Sequence, residues 1–327
     1  MPGLIEARGK PGYGPASRAK TGRSVMSKSA SLPAAYLKLA RPHQYVKNAF
    51  VFLPLFFGWK LTDPAALGSA CLAFAAFCLA ASAVYVVNDL KDIEEDRAHP
   101  TKRNRPLASG ALSPGQGLTF AGFLLAGAAV LAAVLGSAGF AAILAGYLVI
   151  NGLYSFALKH KALIDLACIA VGFVLRVFAG GVVTGVTPSH WIVLMTFLLA
   201  LFLGFAKRRD DLLLSAAGCD QTRRSLDGYN LEFVSCSMMI MAAVVIVSYI
   251  LYTLSPEVIA KHGSDKLYLT AIFVILGVLR YLQITLVECK SGSPTLVLLR
   301  DGFIQASLVL WIVSFYLILY VERVRNP

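Results

Sequence analysis

The sequence is poor in charge. Asp, Glu, Lys and Arg make up 15% of its 327 residues, where a soluble domain carries roughly 25%. With 57% hydrophobic residues and a mean hydropathy of +0.68, this excludes an ordinary soluble globular protein. The six cysteines (Cys71, Cys78, Cys168, Cys219, Cys236 and Cys289) form no CxxC pair and no metal-finger spacing, which excludes a dithiol redox motif and a zinc module. Most sit inside apolar runs, where small buried thiols are common. There is no Ser-His-Asp set, haem motif, P-loop or Rossmann fingerprint. Gly115-Gln116-Gly117 has no strand before it and no further glycine opening a helix. The histidines, His43, His99, His160, His190 and His262, are scattered. The N-terminal stretch lacks the apolar core of a secretory signal.

What is present is a polytopic membrane pattern. Residues 1–31 are rich in Gly, Pro, Ser, Lys and Arg without a packing pattern and read as a disordered basic tail. Met26 opens a tidier start, and translation beginning there is an expectation that mass spectrometry of the native N-terminus checks. Residues 32–327 read as one all-α transmembrane domain. Nine apolar segments are expected at 37–58, 67–88, 117–136, 139–158, 162–182, 190–207, 233–254, 268–287 and 302–322, each long enough for a bilayer-spanning helix. The longer connections are 89–116, 208–232, 255–267 and 288–301.

The net charge of +12 is read by position rather than as a nucleic-acid signal, and no nucleic-acid partner is expected. With the N-terminus inside, fourteen Lys and Arg fall in cytoplasmic loops and five (Lys60, Lys261, Lys266, Arg323 and Arg325) on the other side. The positive-inside rule therefore predicts a multi-pass protein of the cell membrane, N-in and C-out.

The stretch that carries chemistry follows the second segment: Asn88-Asp89-Leu90-Lys91-Asp92-Ile93-Glu94-Glu95-Asp96, then His99, Lys102, Arg103 and Arg105. If the helix continues two turns past the membrane edge, Asp89, Asp92 and Asp96 fall within an arc of roughly 60°. Three carboxylates on one stripe repel one another unless a cation sits between them. An acidic face followed by a basic loop suits a magnesium–diphosphate site. The competing reading is a solvated helix end of mixed charge; the shared face and the position at the membrane edge weigh against it. A fainter echo ends the sixth segment, where Lys207-Arg208-Arg209-Asp210-Asp211 is followed by Asp220, Arg223, Arg224, Asp227 and Tyr229. Two such loops could close over one phosphate-bearing substrate, or be unrelated.

Ionisable residues inside spans are costly and usually face a cavity. Asp165 follows Tyr154, Lys159 and Lys161 across a tight turn, so Lys159 and Asp165 either pair or both face the cavity. Arg176, about 20 Å from the cytoplasmic edge, is deep for a phosphate ligand, and a structural contact is the favoured reading; Arg280 is treated alike. Gly172, Gly180 and Gly181 read as packing and hinge positions.

At these residues the sequence resembles the UbiA superfamily of intramembrane prenyltransferases. The pattern NDxxDxxxD stands as Asn88, Asp89, Asp92 and Asp96. More narrowly it is similar to the decaprenyl-phosphate phosphoribosyltransferases. The similarity rests on RPHQYVKN (Arg41 to Asn48), NDLKDIEEDRAHPTKRNRP (Asn88 to Pro106), YSFALKHKALIDLACIAVGFVLRVFAGG (Tyr154 to Gly181), and Lys207-Arg208 with Arg224-Ser225-Leu226 and Tyr229. The resemblance implies a helical bundle around a cavity open to the cytoplasm and the bilayer. It implies Mg2+, with Mn2+ as an alternative, on Asn88, Asp89, Asp92 and Asp96, the three aspartates being catalytic. Substrate contacts are implied for Gln44, Lys47, Asn88, Lys102, Arg105, Tyr154, Lys159, Asp165, Lys207 and Arg208. The implied donor is 5-phosphoribosyl diphosphate and the acceptor a polyprenyl phosphate, with a homo-oligomer left open. One departure stands out: many superfamily members carry a second DxxxD motif where this chain has Lys207-Arg208-Arg209-Asp210-Asp211. That puts a second metal in doubt and suits a donor with an extra phosphate. The alternatives are transfer of a prenyl group from a prenyl diphosphate to an aromatic or other small acceptor, and lipid transport, which the clustering of charge at one membrane face disfavours.

Overall fold

A computed structural model describes residues 31–99, 101–216, 227–289 and 292–325. The expected basic tail up to residue 30, Met26, the loop residues Asp220, Arg223, Arg224, Ser225 and Leu226, and Lys290 lie outside them.

Among the described residues the chain is all-helical. Eight units are long and apolar enough to cross a bilayer: α3 (Pro64–Lys91), α5 (Pro114–Leu135), α6 (Ala138–Phe156), α7 (Ile164–Thr184), α8 (His190–Ala216), α9 (Leu231–Leu254), α11 (Ala271–Leu286, entered through a 3-10 turn at Leu267–Thr270) and α13 (Gly302–Arg325). Shorter helices are α1 (Leu32–Ala40), α2 (Leu53–Phe57), α4 (Ile93–Ala98), α10 (Pro256–His262) and α12 (Pro294–Arg300). The connections expected at 255–267 and 288–301 are therefore partly helical.

The ninth expected span, 37–58, is not a single helix. α1 stops at Arg41, whose backbone is left-handed (φ 55°, ψ 57°). Pro42 follows; it disfavours the right-handed helical region at Arg41 and cannot donate to the ladder. The chain continues as a 3-10 helix, Pro42–Phe52, and then as α2, with Pro54 in its first turn. At about 2.0 Å per 3-10 residue this stretched segment carries side chains to greater depth than an α-helix of equal length. A second correction concerns α8, which runs to Ala216 rather than ending near 207. Leu212, Leu213 and Leu214 extend its apolar residues, and Asp211 ties back one turn to Arg208 (2.7 Å) and Lys207 (3.6 Å). Lys207 to Asp211 are thus helical, not loop.

Helix ends follow local chemistry. Asp63 caps α3 through Ala65 N–H (3.0 Å), and Ser113 with Gln116 forms a reciprocal capping box on α5. α3 lies along α5, α7 between α6 and α8, α8 along α9, and α11 along α13. Alanines 73, 76, 80 and 81 surround Phe77 on α3 and let the 3-10 segment, α5, α6 and α7 approach closely. Gly180 is a required packing position: a Cβ there would lie 1.9 Å from the Val51 carbonyl oxygen. A second core joins α7, α8, α9 and α11 through Leu166, Phe202, Met238 and Tyr281. An aromatic group of Phe56, Phe57, Tyr252 and Phe315 fills the far end. Cross-links between helix ends gather the charged residues at one end of the bundle: Lys91 to Ser155 O (2.7 Å), Arg208 to Asp165 (2.9 Å), and Arg209 to Thr285 O (2.6 Å).

Candidate active site

The aspartate stretch straddles a kink. α3 ends at Lys91, Asp92 takes a non-helical conformation (φ −97°, ψ 17°), and α4 begins at Ile93. The Asp92 N–H still donates to Asn88 O (3.0 Å) and Asp96 N–H to Asp92 O (2.8 Å), so the turn is nearly continuous. Asp89 and Asp96 are buried and share one arginine: Arg105 donates to Asp89 Oδ1 (2.9 Å) and Asp96 Oδ2 (2.7 Å). The cation needed between like charges is therefore supplied by the loop. Asp89 also carries Arg41, whose guanidinium lies 5.0 Å from the centre of the Tyr85 ring. Asp92 is more open and accepts from Lys159 Nζ at 2.9 Å.

Lys159 and Asp165, expected either to pair or to share a cavity, do neither. The turn between α6 and α7 sends Lys159 to Asp92 and Asp165 the other way. Asp165 is fully buried. It accepts from Arg208 Nε (2.9 Å) and from Tyr229 Oη (2.9 Å), and Tyr229 Oη in turn accepts from Leu163 N–H (2.6 Å). Arg208, 1% exposed, also holds Asp211. Both its carboxylate partners are within the protein, so it serves here as a tie between α7 and α8.

The remaining expected residues are placed as follows. Lys102 opens a 3-10 turn (Lys102–Asn104), and its N–H donates to His99 Nδ1 at 3.3 Å. Partial burial and the Lys102 charge hold the His99 pKa below its usual value and keep that nitrogen an acceptor. Asn88 is half-buried beside Asp89, and Tyr154 is half-buried in the last turn of α6. Gln44 accepts a long bond from Thr295 (3.4 Å). Lys47 is half-buried on the 3-10 segment. Arg176 makes the structural contact favoured for it: it donates to Asn48 Oδ1 (2.7 Å), Gly172 O (2.7 Å) and Tyr147 Oη (3.1 Å). Arg280 likewise joins Asp301 (2.8 Å) to Glu288 (2.7 Å). Arg41 is the site residue that sequence reasoning passed over, although RPHQYVKN begins with it.

Asn88, Asp89, Asp92 and Asp96 offer oxygen donors within two turns, which suits a hard cation such as Mg2+. The donors fit in kind. In this structure each carboxylate holds a cationic side chain, and among the described residues no three acidic, His or Cys side chains converge as a metal cage.

A multi-helix membrane bundle whose carboxylate-rich helix end meets a basic loop defines an intramembrane transferase. The UbiA prenyltransferase family model matches residues 49–294, and the chain belongs to that family. It is 32% identical over 294 residues to the decaprenyl-phosphate phosphoribosyltransferase of Mycolicibacterium smegmatis, covering 86% of this chain and 91% of that one. It is 32% identical to the Mycobacterium tuberculosis enzyme of the same name, covering 89% and 96%. A UbiA homolog from Archaeoglobus fulgidus, solved with GPP and Mg2+, superposes with a TM-score of 0.65 at 22% identity over 88% of this chain and 99% of that one, a likeness of fold.

Proposed function

We propose that the protein transfers 5-phosphoribose from 5-phosphoribosyl diphosphate to a polyprenyl phosphate in the cell membrane, releasing pyrophosphate, with its aspartate end facing the cytoplasm. The observation that carries this is the number of cations set around one acidic stripe. Arg41, Arg105 and Lys159 already contact the aspartates, with Lys102 on the same loop as Arg105 and Lys207 in the cytoplasmic part of α8, about two and a half turns before its end. These five cations outnumber the three aspartates, and together with a divalent metal they make a positive site that suits a donor bearing a further phosphate. Two decaprenyl-phosphate phosphoribosyltransferases similar along almost their whole length support the same reading.

Asn88, Asp89, Asp92 and Asp96 would hold Mg2+ (or Mn2+), which supplies charge neutralisation for a departing diphosphate. The chain's own residues do the rest. Arg105 and Lys159, paired to carboxylates here, turn to phosphate oxygens when the donor binds, and Lys102 and Lys207 join them. These cations stabilise negative charge growing on the leaving group as the C1–O bond lengthens. The Asp165–Arg208–Tyr229 network fixes the turn that aims Lys159. The acceptor phosphate is already anionic at neutral pH and needs no general base.

Prenyl transfer from a prenyl diphosphate is the second reading, favoured by the family alone. The two separate by donor. Pyrophosphate release is measured with 5-phosphoribosyl diphosphate plus polyprenyl phosphate, and with prenyl diphosphate plus an aromatic acid. Release confined to the first pair is expected; release confined to the second overturns the proposal.

A further inference from the structure

One face of α3 is in register with the 3-10 segment. Cys78 accepts from Asn48 Nδ2 (3.1 Å), Ser82 pairs with Tyr45 (3.0 Å), Arg41 lies over the Tyr85 ring, and Asp89 takes the Arg41 ion pair. Tyr85 stands one turn before Asp89, about 6 Å deeper along the helix. Asn48, next to Lys47, is held by Arg176. Two polar groups in this region lack partners. Neither the Lys47 ammonium nor the Tyr85 hydroxyl makes a hydrogen bond or ion pair with a described residue. Nor is either atom sealed off: among the described residues, the enclosed side-chain polar atom without a partner is Tyr281 Oη. Both atoms therefore keep some accessible surface. The charges acting on Lys47 are Arg41 and Arg176, both cations. Arg176 has no carboxylate partner among the described residues, and Asp89, the acid in contact with Arg41, is shared with Arg105.

A cationic group at this depth costs several kcal/mol without a counterion, and the described residues provide none for Lys47. We propose that Lys47 and Tyr85, flanked by Arg41 and Arg176, form a pocket for a phosphate monoester one turn beneath the aspartates, and that its occupant is the phosphate of the lipid acceptor. This rests on the phosphoribosyl-transfer reading. Lys47 and the Tyr85 hydroxyl donate to the phosphate oxygens; Arg41 adds charge from above, and Arg176 holds the segment through Asn48. An acceptor oxygen forms the bond to ribose C1, and the C1–O bond to the diphosphate breaks with its electron pair leaving on the diphosphate. No proton need move. The donor's 5-phosphate has the same chemistry, but the cations suited to it, Lys102 and Arg105, lie on the loop, whereas this pocket lies within the depth of the spans, where a lipid headgroup enters from the side.

The test is binding of farnesyl phosphate to the purified full-length protein without divalent metal, by titration calorimetry, with ribose 5-phosphate as competitor. Farnesyl phosphate is expected to bind without metal. Lys47→Gln and Tyr85→Phe should each weaken it by about tenfold, the scale of a charge-assisted contact, and leave Mg2+-dependent binding of 5-phosphoribosyl diphosphate unchanged. Tyr85→Phe keeps the ring under Arg41, and its unchanged thermal midpoint shows that folding is intact. Affinity equal to wild type in both variants, or a requirement for metal, overturns the pocket. Displacement by ribose 5-phosphate that depends on Lys47 overturns the lipid as occupant. Lys47-dependent farnesyl phosphate binding in a protein that transfers no phosphoribose keeps the pocket and overturns the transferase reading instead.

Discussion

Arg105 bridges two buried carboxylates with one guanidinium nitrogen, and that geometry sets the residue-scale expectations. A lysine carries the charge but lacks the planar fork and its reach. Arg105→Lys should lower phosphoribosyl transfer by about a hundredfold and lower the thermal midpoint, because Asp89 and Asp96 then repel with weaker compensation; breaking a buried pair costs about 3–5 kcal/mol. Steady-state rates and melting in detergent check both. Asp92 behaves differently. It is the most open of the three, with Lys159 as its partner, so Asp92→Asn should abolish metal-dependent activity by about 10³-fold, the scale of losing a principal electrostatic contact, while the melting temperature barely moves. The stripe itself was legible, because spacing along one helix is local. The partners were not. Arg41 reaches Asp89 across 48 residues and Lys159 reaches Asp92 across 67, and no periodicity encodes such pairings. The expected Lys159–Asp165 proximity failed for the same reason: the turn between them points their side chains apart.

At the scale of elements, the start of α7 stores strain. Leu163 has φ 66° and ψ −43°, a conformation that costs a non-glycine residue on the order of 1–3 kcal/mol. It is held by the Leu163 N–H donating to Tyr229 Oη and by Tyr229 donating to Asp165. Tyr229→Phe removes both bonds and should destabilise the protein by about 1–3 kcal/mol, with a rise in KM for the donor as Lys159 loses its aim. Burial first, then Asp165, push the Tyr229 pKa up to about 12. The unfolded chain releases this proton near pH 10. The stability Tyr229 contributes is therefore complete below about pH 10 and is lost as pH rises toward 12; alkaline melts of wild type should show this loss and those of Tyr229→Phe should not. Gly180→Val should be more damaging, by about 3 kcal/mol or more, since it drives α7 away from the Val51 backbone. Eight of nine expected spans were legible as apolar runs of the right length. The first was not, although Pro42 and Pro54 marked its breaks: hydropathy reads composition, and the 3-10 path depends on α3 and α7 packing against it. α8 was read too short because its last turns are charged, and the Arg208–Asp211 and Arg208–Asp165 pairs that keep them helical are visible only in three dimensions.

At the scale of the molecule, the charged ends of α3, α6, α7, α8 and α11 gather at one face, and the Lys and Arg asymmetry predicts that this face is cytoplasmic. A reporter fused after Arg325 should therefore behave as exported, with alkaline phosphatase active and green fluorescent protein dark; the reverse pattern would invert the topology. The family and its bundle were legible from NDxxDxxxD and the apolar segments together, whereas the ion pairs of the aspartates were not, because a motif names the ligands and not the distant side chains that meet them. The most direct test of the account is transfer itself. Purified protein is incubated with radiolabelled 5-phosphoribosyl diphosphate, Mg2+ and a polyprenyl phosphate, and label is counted in the organic phase, with Asp92→Ala and chelated-metal controls. The account predicts label that requires the lipid phosphate and the metal and is lost in the variant. Label absent from the organic phase, while prenyl diphosphate is consumed onto an aromatic acceptor by the same preparation, would contradict it.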